Sequence, residues 1–312
     1  MLRGIYSHTK PFNKFILLLT LVLSFLLLSM LFGILALVPF YGTGILRLLA
    51  SSDFSDPSLV MAMKVIQIFN TAGGILLPAA IYLWLCTPVD SKSVFYKSAP
   101  PLTFFATIIL IVTAQPIVGF ASELNSHLVL PKWLSFFENW MKDTEAQNGL
   151  ITEAFLSTTS IGGLMINIFM IAILPAIAEE TLFRGALARL FKDWTKNMHL
   201  AVFLSAFIFA AIHMQFYGFL PRFLLGTALG YLFFWSGSLW LPIVAHFTNN
   251  FLSVIVEFLY RKGYVHTNAE NFGMNNAAWL TLISIIVVSV MLYYIHKLTA
   301  SSDKDYHNNQ PS

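Results

Sequence analysis

The chain has 312 residues, of which 57% are hydrophobic and only 11% charged, with a net charge of +3 and a mean hydropathy of +0.72. These values exclude a soluble globular domain, and the small positive charge requires no nucleic-acid partner. The one cysteine, Cys86, excludes an intrachain disulfide and leaves the compartment open.

A membrane-spanning helix needs about 20 mainly apolar residues. Eight stretches approach or exceed that length: 15–38, 59–86, 101–121, 160–190, 199–216, 219–236, 238–259 and 277–297. Backbone polar groups cannot face lipid unpaired, so the expected fold is all-α: a polytopic transmembrane helical bundle of about eight helices. The first stretch, preceded by Arg3, Lys10 and Lys14, exceeds the roughly 7–15-residue core of a signal peptide and reads as a retained helix. Between the third and fourth, 131–149 mixes Trp133, Phe136, Phe137 and Trp140 with charges, the pattern of a short interfacial helix or of a loop with aromatic anchors. Residues 301–312 read as a disordered polar tail. An even number of spans puts both termini on one side. Assigning every lysine and arginine to one side or the other divides them eleven, Lys92 and Lys97 among them, against seven, Lys64 among them. The positive-inside bias then makes this an integral membrane protein, of the cell membrane, with both termini cytoplasmic.

Polar residues that lipid should exclude concentrate in the second half. Glu179, Glu180 and Arg184 lie in the fourth stretch, His213 in the fifth, and His246 with Asn250 in the seventh. Each charge near a bilayer centre costs roughly 2.5–3.5 kcal/mol on insertion scales, so a cluster implies joint use. Glu180 and Arg184 are four apart and share a helix face; Glu179 points about 100° away, without a partner in its own helix. Pro175 cannot donate to the carbonyl of Ile171, which must then face protein or a wet cavity. If 192–197 is a turn centred on Lys196, Glu179 and His213 lie 17 residues to either side of it and reach the same depth. His246 and Asn250 again share a face, with Pro242 four residues before His246. The distance of His246 from the Gly237 turn leaves it roughly 10 Å shallower than His213 unless tilt closes the gap. A carboxylate, two imidazoles and a carboxamide form a hydrolytic set. Glu179 has the means to act as general base, and His246 and Asn250 to hold an oxyanion. One Glu and two His also form a conceivable zinc set, with His213 and His246 as the nitrogen ligands. His199, His127, His266 and His296 read as edge or loop residues, and Arg222 and Glu257 as snorkelling side chains.

The motifs carrying these residues are EETLFR (Glu179 to Arg184), FAAIH (Phe209 to His213) and HFTNN (His246 to Asn250). In this order, each in an apolar span, they resemble EExxxR, FxxxH and HxxxN of the CPBP family. Its members are the CAAX-protease and bacteriocin-processing enzymes, also called Abi, related to CAAX prenyl endopeptidases. The resemblance covers about 160–255. It implies an intramembrane endopeptidase, of glutamate or metalloprotease type, acting on a membrane-associated peptide or protein, lipidated or not. By motif position, Glu179 is the base, His213 assists it with water, His246 and Asn250 stabilise the oxyanion, and Glu180, Arg184 and Phe209 support. No cofactor is required outright, and zinc is compatible. The chain then divides into N-terminal helices and interfacial loop (1–150), catalytic core (151–260), and last helix with tail (261–312). Competing readings are a non-catalytic scaffold or immunity protein, and an ion-coupled transporter, which the clustering of polar residues in one half disfavours.

Overall fold

The structure, a computed structural model, describes residues 3–51, 53–88, 99–268 and 278–308, and every regular element among them is helical. Lys92 and Lys97 lie outside the described residues. In chain order the helices are α1 (Pro11–Ala50), α2 (Pro57–Cys86), α3 (Pro101–Thr113), α4 (Gln115–Ser126), α5 (Ser135–Leu156), α6 (Ile161–Thr195), α7 (Met198–Ile212), α8 (Phe216–Ser236), α9 (Trp240–Arg261) and α10 (Ala278–Asn308). Local chemistry sets their ends. Asp56 caps α2, accepting from the Ser58 amide at 2.8 Å, with Pro57 in the first turn. Ser160 caps α6 through the Gly163 amide, and Asn197 caps α7 through the Leu200 amide. Left-handed residues close the two tight turns, Lys196 after α6 and Gly237 after α8.

Among the described residues, α1, α2, α6, α8, α9 and the Ala278–Ala300 part of α10 are each long and apolar enough to cross a membrane. The remaining two of the eight expected stretches are altered. The third is broken after Thr113 into α3 and α4, bent by 40°. The fifth, expected over 199–216, is α7, which stops at Ile212 after 15 residues. At about 1.5 Å per residue that is roughly 22 Å, short of a hydrocarbon core of about 30 Å. It ends because the chain turns at Met214, a non-glycine residue with φ of 52°, and because Asn125 of α4 grips the next segment. Asn125 donates to the Phe216 carbonyl at 2.7 Å and accepts from the Leu220 amide at 2.9 Å.

Two other expectations change. The stretch 131–149 does contain a helix, but α5 runs on to Leu156, with Trp133 and Phe136 about four-fifths exposed. The polar tail does not begin at 301, since α10 stays helical to Asn308.

The bundle is apolar outside and polar at selected points inside. Leu27, Phe40, Phe105 and Ile286 are exposed, whereas Thr103, Asn167, Glu180, Arg184 and His246 are buried. This inverts the soluble pattern and identifies an integral membrane protein. Helix α6 is central, packing on α2, α7 and α9. Small residues bring α7 and α8 together: a Cβ on Gly226 would lie 3.2 Å from the Ala206 methyl, and one on Gly230 would lie 2.9 Å from Val202 Cγ1. Gly230→Val is therefore expected to destabilise the bundle by about 1–3 kcal/mol through overpacking, read as a lower melting temperature in detergent. An unchanged melt would show that α7 and α8 can separate freely.

Candidate active site

The site is built on an α6 whose hydrogen-bond ladder is widened twice. Ile168–Ile173 and Thr181–Ala188 are π-helical, flanking the α-helical turn Leu174–Glu180. Such widened turns are rare and concentrate at functional sites. The carbonyl of Ile171, four residues before Pro175, receives the Asn250 side-chain amide at 3.0 Å. The carbonyl that Pro175 cannot serve thus faces protein, and the carboxamide expected to share the site binds α9 to α6.

The two adjacent glutamates have opposite surroundings. Glu180 is fully buried. Its Oε1 accepts from Arg184 Nη1 at 2.7 Å, as the four-residue spacing predicts, and also from His246 Nδ1 at 2.8 Å. Arg184 is buried too and donates through Nη2 to the Gly226 carbonyl at 2.9 Å, which ties α6 to α8. The face of Phe209 lies 5.0 Å below the guanidinium, and its ring meets His213 and His246 edge-on at 4.9 and 5.9 Å. Phe209 is therefore the apolar partition on which both imidazoles and the arginine rest.

Glu179 has no such partners. Its side chain keeps 15% exposure against 0% for Glu180, and its Oε2 makes no hydrogen bond. His246 Nε2 lies 3.9 Å from that oxygen, beyond a direct hydrogen bond. His213 Nδ1 is 2.7 Å from the Phe209 carbonyl. A carbonyl only accepts, so Nδ1 carries the hydrogen and Nε2 of the neutral ring is left as an acceptor. His213 interacts electrostatically with Glu179, His246 and Arg222. The structure thus brings Glu179, Glu180, Arg184, Phe209, His213, His246 and Asn250 into one neighbourhood.

The depth mismatch expected for His246 is absent from the structure: its Nδ1 reaches Glu180 Oε1 at 2.8 Å and its Nε2 lies 3.9 Å from Glu179 Oε2. His213 follows the last residue of α7, at the end of the bundle opposite the Lys196 turn.

Several secondary expectations need correction. Arg222 does not snorkel: it folds over Gly218, bonds Gln215 Oε1 and interacts with Glu145 and Glu179. Glu257 is buried and receives Arg261 Nε at 2.8 Å. Lys64, counted toward the outer side in the charge balance, lies inside α2, buried, with its ammonium 2.8 Å from Asn167 Oδ1. His199 anchors through Tyr231 at 2.9 Å, and His296 lies within α10 against Trp235. Gln115, at the α3–α4 break, reaches Asn249 Oδ1 at 3.5 Å, a contact no motif announced.

A zinc set would require Glu179, His213 and His246 to converge. Among the described residues no three His, Cys, Asp or Glu side chains are grouped to hold a metal, while the partners on Nδ1 of His213 and His246 leave Nε2 of each ring as the nitrogen open to a ligand.

Because Glu180 links three helices, Arg184→Ala is expected to cost roughly 3–5 kcal/mol by leaving a buried carboxylate short of its cation. Glu180→Gln combined with Arg184→Gln should recover part of this. Melting curves of the three proteins in detergent test it, and an unaltered Arg184→Ala melt would rule the pairing out as a structural element.

Comparison with known proteins agrees with the motif reading. Residues 161–252 match the family model described as type II CAAX prenyl endopeptidase Rce1-like. A curated relative, the "Uncharacterized protein YpbD" of Bacillus subtilis (strain 168), is 31% identical over 112 residues, which is 35% of this chain and 52% of the relative. The chain thus spans about half the length of that relative. No solved structure matches. All the residues gathered around Glu180 fall inside the matched segment, 161–252.

Proposed function

We propose that the protein is an intramembrane endopeptidase that cleaves a membrane-associated peptide or protein with a water molecule activated by Glu179 and His213. The observation that carries this reading is the contrast between the two acids. Glu180 is fully buried and committed through Oε1 to Arg184 and His246, while Glu179 carries, among the described residues, no ion pair closer than 3.9 Å, keeps 15% exposure and interacts with both imidazoles.

In this mechanism the carboxylate of Glu179 takes a proton from water as the oxygen attacks the peptide carbonyl. His213 Nε2 accepts the other hydrogen of that water and so orients it. The tetrahedral oxyanion receives the Asn250 N–H not used by Ile171, and His246 Nε2–H when that nitrogen carries a proton. Glu180 keeps His246 in the required orientation through Nδ1. Glu179 then passes its proton to the departing amine as the C–N bond breaks. No step requires a metal, and no partner is required beyond the substrate and the bilayer. The location that fits best is the cell membrane, with both termini cytoplasmic.

Glu179→Gln keeps shape but cannot take the proton, so turnover of a quenched peptide in detergent should fall by roughly 10²–10⁴-fold. Its melting curve should match the parent protein. Full turnover by this variant would remove Glu179 from the mechanism. Turnover in the presence of a strong chelator should persist, and its loss with recovery on adding zinc would reassign the water activation to a metal.

A further inference from the structure

A second polar cluster lies at the other end of the bundle, where α6 closes in the Lys196 turn. A small open cavity there sits between α1, α2 and α6, and Lys14, Tyr82, Cys86, Thr87, Arg189 and Asp193 line it. None of these residues enters the hydrolytic mechanism. Among the described residues Arg189 forms no hydrogen bond and no close ion pair, and Asp193, four residues on, acts on it electrostatically. Lys14 gives one of its three N–H donors to the Ser7 carbonyl at 2.7 Å. Five guanidinium and two ammonium N–H groups are therefore left for a ligand. The Tyr82 hydroxyl and the Cys86 thiol are paired with each other.

Snorkelling to water does not describe this arrangement. Lys192, three residues after Arg189, is exposed and lays its ammonium 5.3 Å over the Phe234 ring. Arg189 stays half-buried and lines the cavity beside the buried Tyr82. The last carbonyls of α2 would repel an anion, but those of Trp84 and Leu85 are taken by the Gly4 and Tyr6 amides, each at 3.0 Å. The level of the cavity is set by three helix ends. Lys14 lies in the first turn of α1, Cys86 is the last residue of α2, and Arg189 stands in the closing turns of α6. Phe12 and Trp194 meet edge-on at 6.2 Å nearby, both exposed, as aromatic side chains do at a membrane surface. The cavity thus opens at the depth of the lipid headgroups. Two cations against one carboxylate leave it one net positive charge.

We propose that this cavity binds the phosphate of an anionic phospholipid, a phosphodiester headgroup carrying one negative charge. The planar fork of Arg189 takes two phosphate oxygens, and Lys14 adds a point charge. The Thr87 hydroxyl supplies a further donor. A single net positive charge selects a headgroup without a cation of its own over a zwitterionic one. The bound lipid joins the ends of α1 and α2 to α6, the helix that carries Glu179 and Glu180. The site stands independently of the peptidase reading.

The test uses delipidated full-length protein in mild detergent, read by native mass spectrometry. The probes are phosphatidylglycerol and phosphatidylcholine with identical acyl chains. Phosphatidylglycerol should bind roughly 10-fold tighter than phosphatidylcholine. Arg189→Gln, with its fold checked by melting, should erase the difference, and Arg189→Lys should keep part of it. Lys14→Gln should lose part. Asp193→Asn should tighten phosphatidylglycerol binding by roughly 5-fold, because it removes the one carboxylate of the lining. Lys192→Gln takes a charge from the same surface outside the cavity and should leave both lipids unaffected. Equal binding of the two lipids, equal losses in Arg189→Gln and Lys192→Gln, or no gain in Asp193→Asn overturns the site. Displacement of phosphatidylglycerol by an equal concentration of inorganic phosphate overturns the lipid form, since the phosphate alone then suffices.

Discussion

The carboxylate of Glu180 is the point on which the half of the bundle that carries the polar cluster depends. One oxygen accepts from Arg184 and from His246, and Arg184 passes the linkage on to the Gly226 carbonyl. Three helices, α6, α8 and α9, are thereby held in one register by hydrogen bonds with strict geometry, where apolar packing alone would tolerate sliding. Ion pairs buried this deeply add little net stability, because desolvation offsets much of the attraction. Their use is specificity: any shift of α9 by one residue would strand a carboxylate, a guanidinium and an imidazole in an apolar interior.

That arrangement explains why two acids stand side by side. Consecutive helical residues diverge by about 100°, so one can face the bundle centre while its neighbour faces a different wall. Glu180 faces the centre and holds two partners on Oε1, with Oε2 buried and unpaired. Glu179 faces the gap between His213 and His246 and keeps an oxygen free. A carboxylate with no hydrogen bond is expensive to maintain in a dry surrounding, and the cost is met by the rigid scaffold that its neighbour provides. The π-helical turns on both sides of Leu174–Glu180 belong to the same compromise. They rotate the glutamates relative to the rest of α6, and the Asn250 amide serves the carbonyl at Ile171.

The all-helical membrane fold was legible because apolar length is a strong signal, and the site because charged residues in apolar spans are few. The Glu180–Arg184 pair and the common level of Glu179 and His213 followed from helical spacing and one well-placed turn. What escaped the sequence depended on relative level and termination. His246 looked too shallow because residue counting sets the Lys196 and Gly237 turns at one level and each helix along a straight axis, and the 2.8 Å contact with Glu180 shows that this does not hold. The early end of α7 came from Asn125, more than eighty residues away in sequence, gripping Phe216 and Leu220. Lys64 was misread because a cation seven residues into an apolar run resembles a helix-edge residue unless its buried partner, Asn167, is known.

The unspent polar groups along α6 also have an order. At Glu179 the free group is an acceptor; at Asn250 and at Lys64 with Asn167 the free groups are donors. The widened turns and the partnerless Glu179 oxygen lie along α6 itself, and the buried ammonium of α2 rests against it at Asn167. Each is costly inside an apolar bundle, and packing alone would call for none of them.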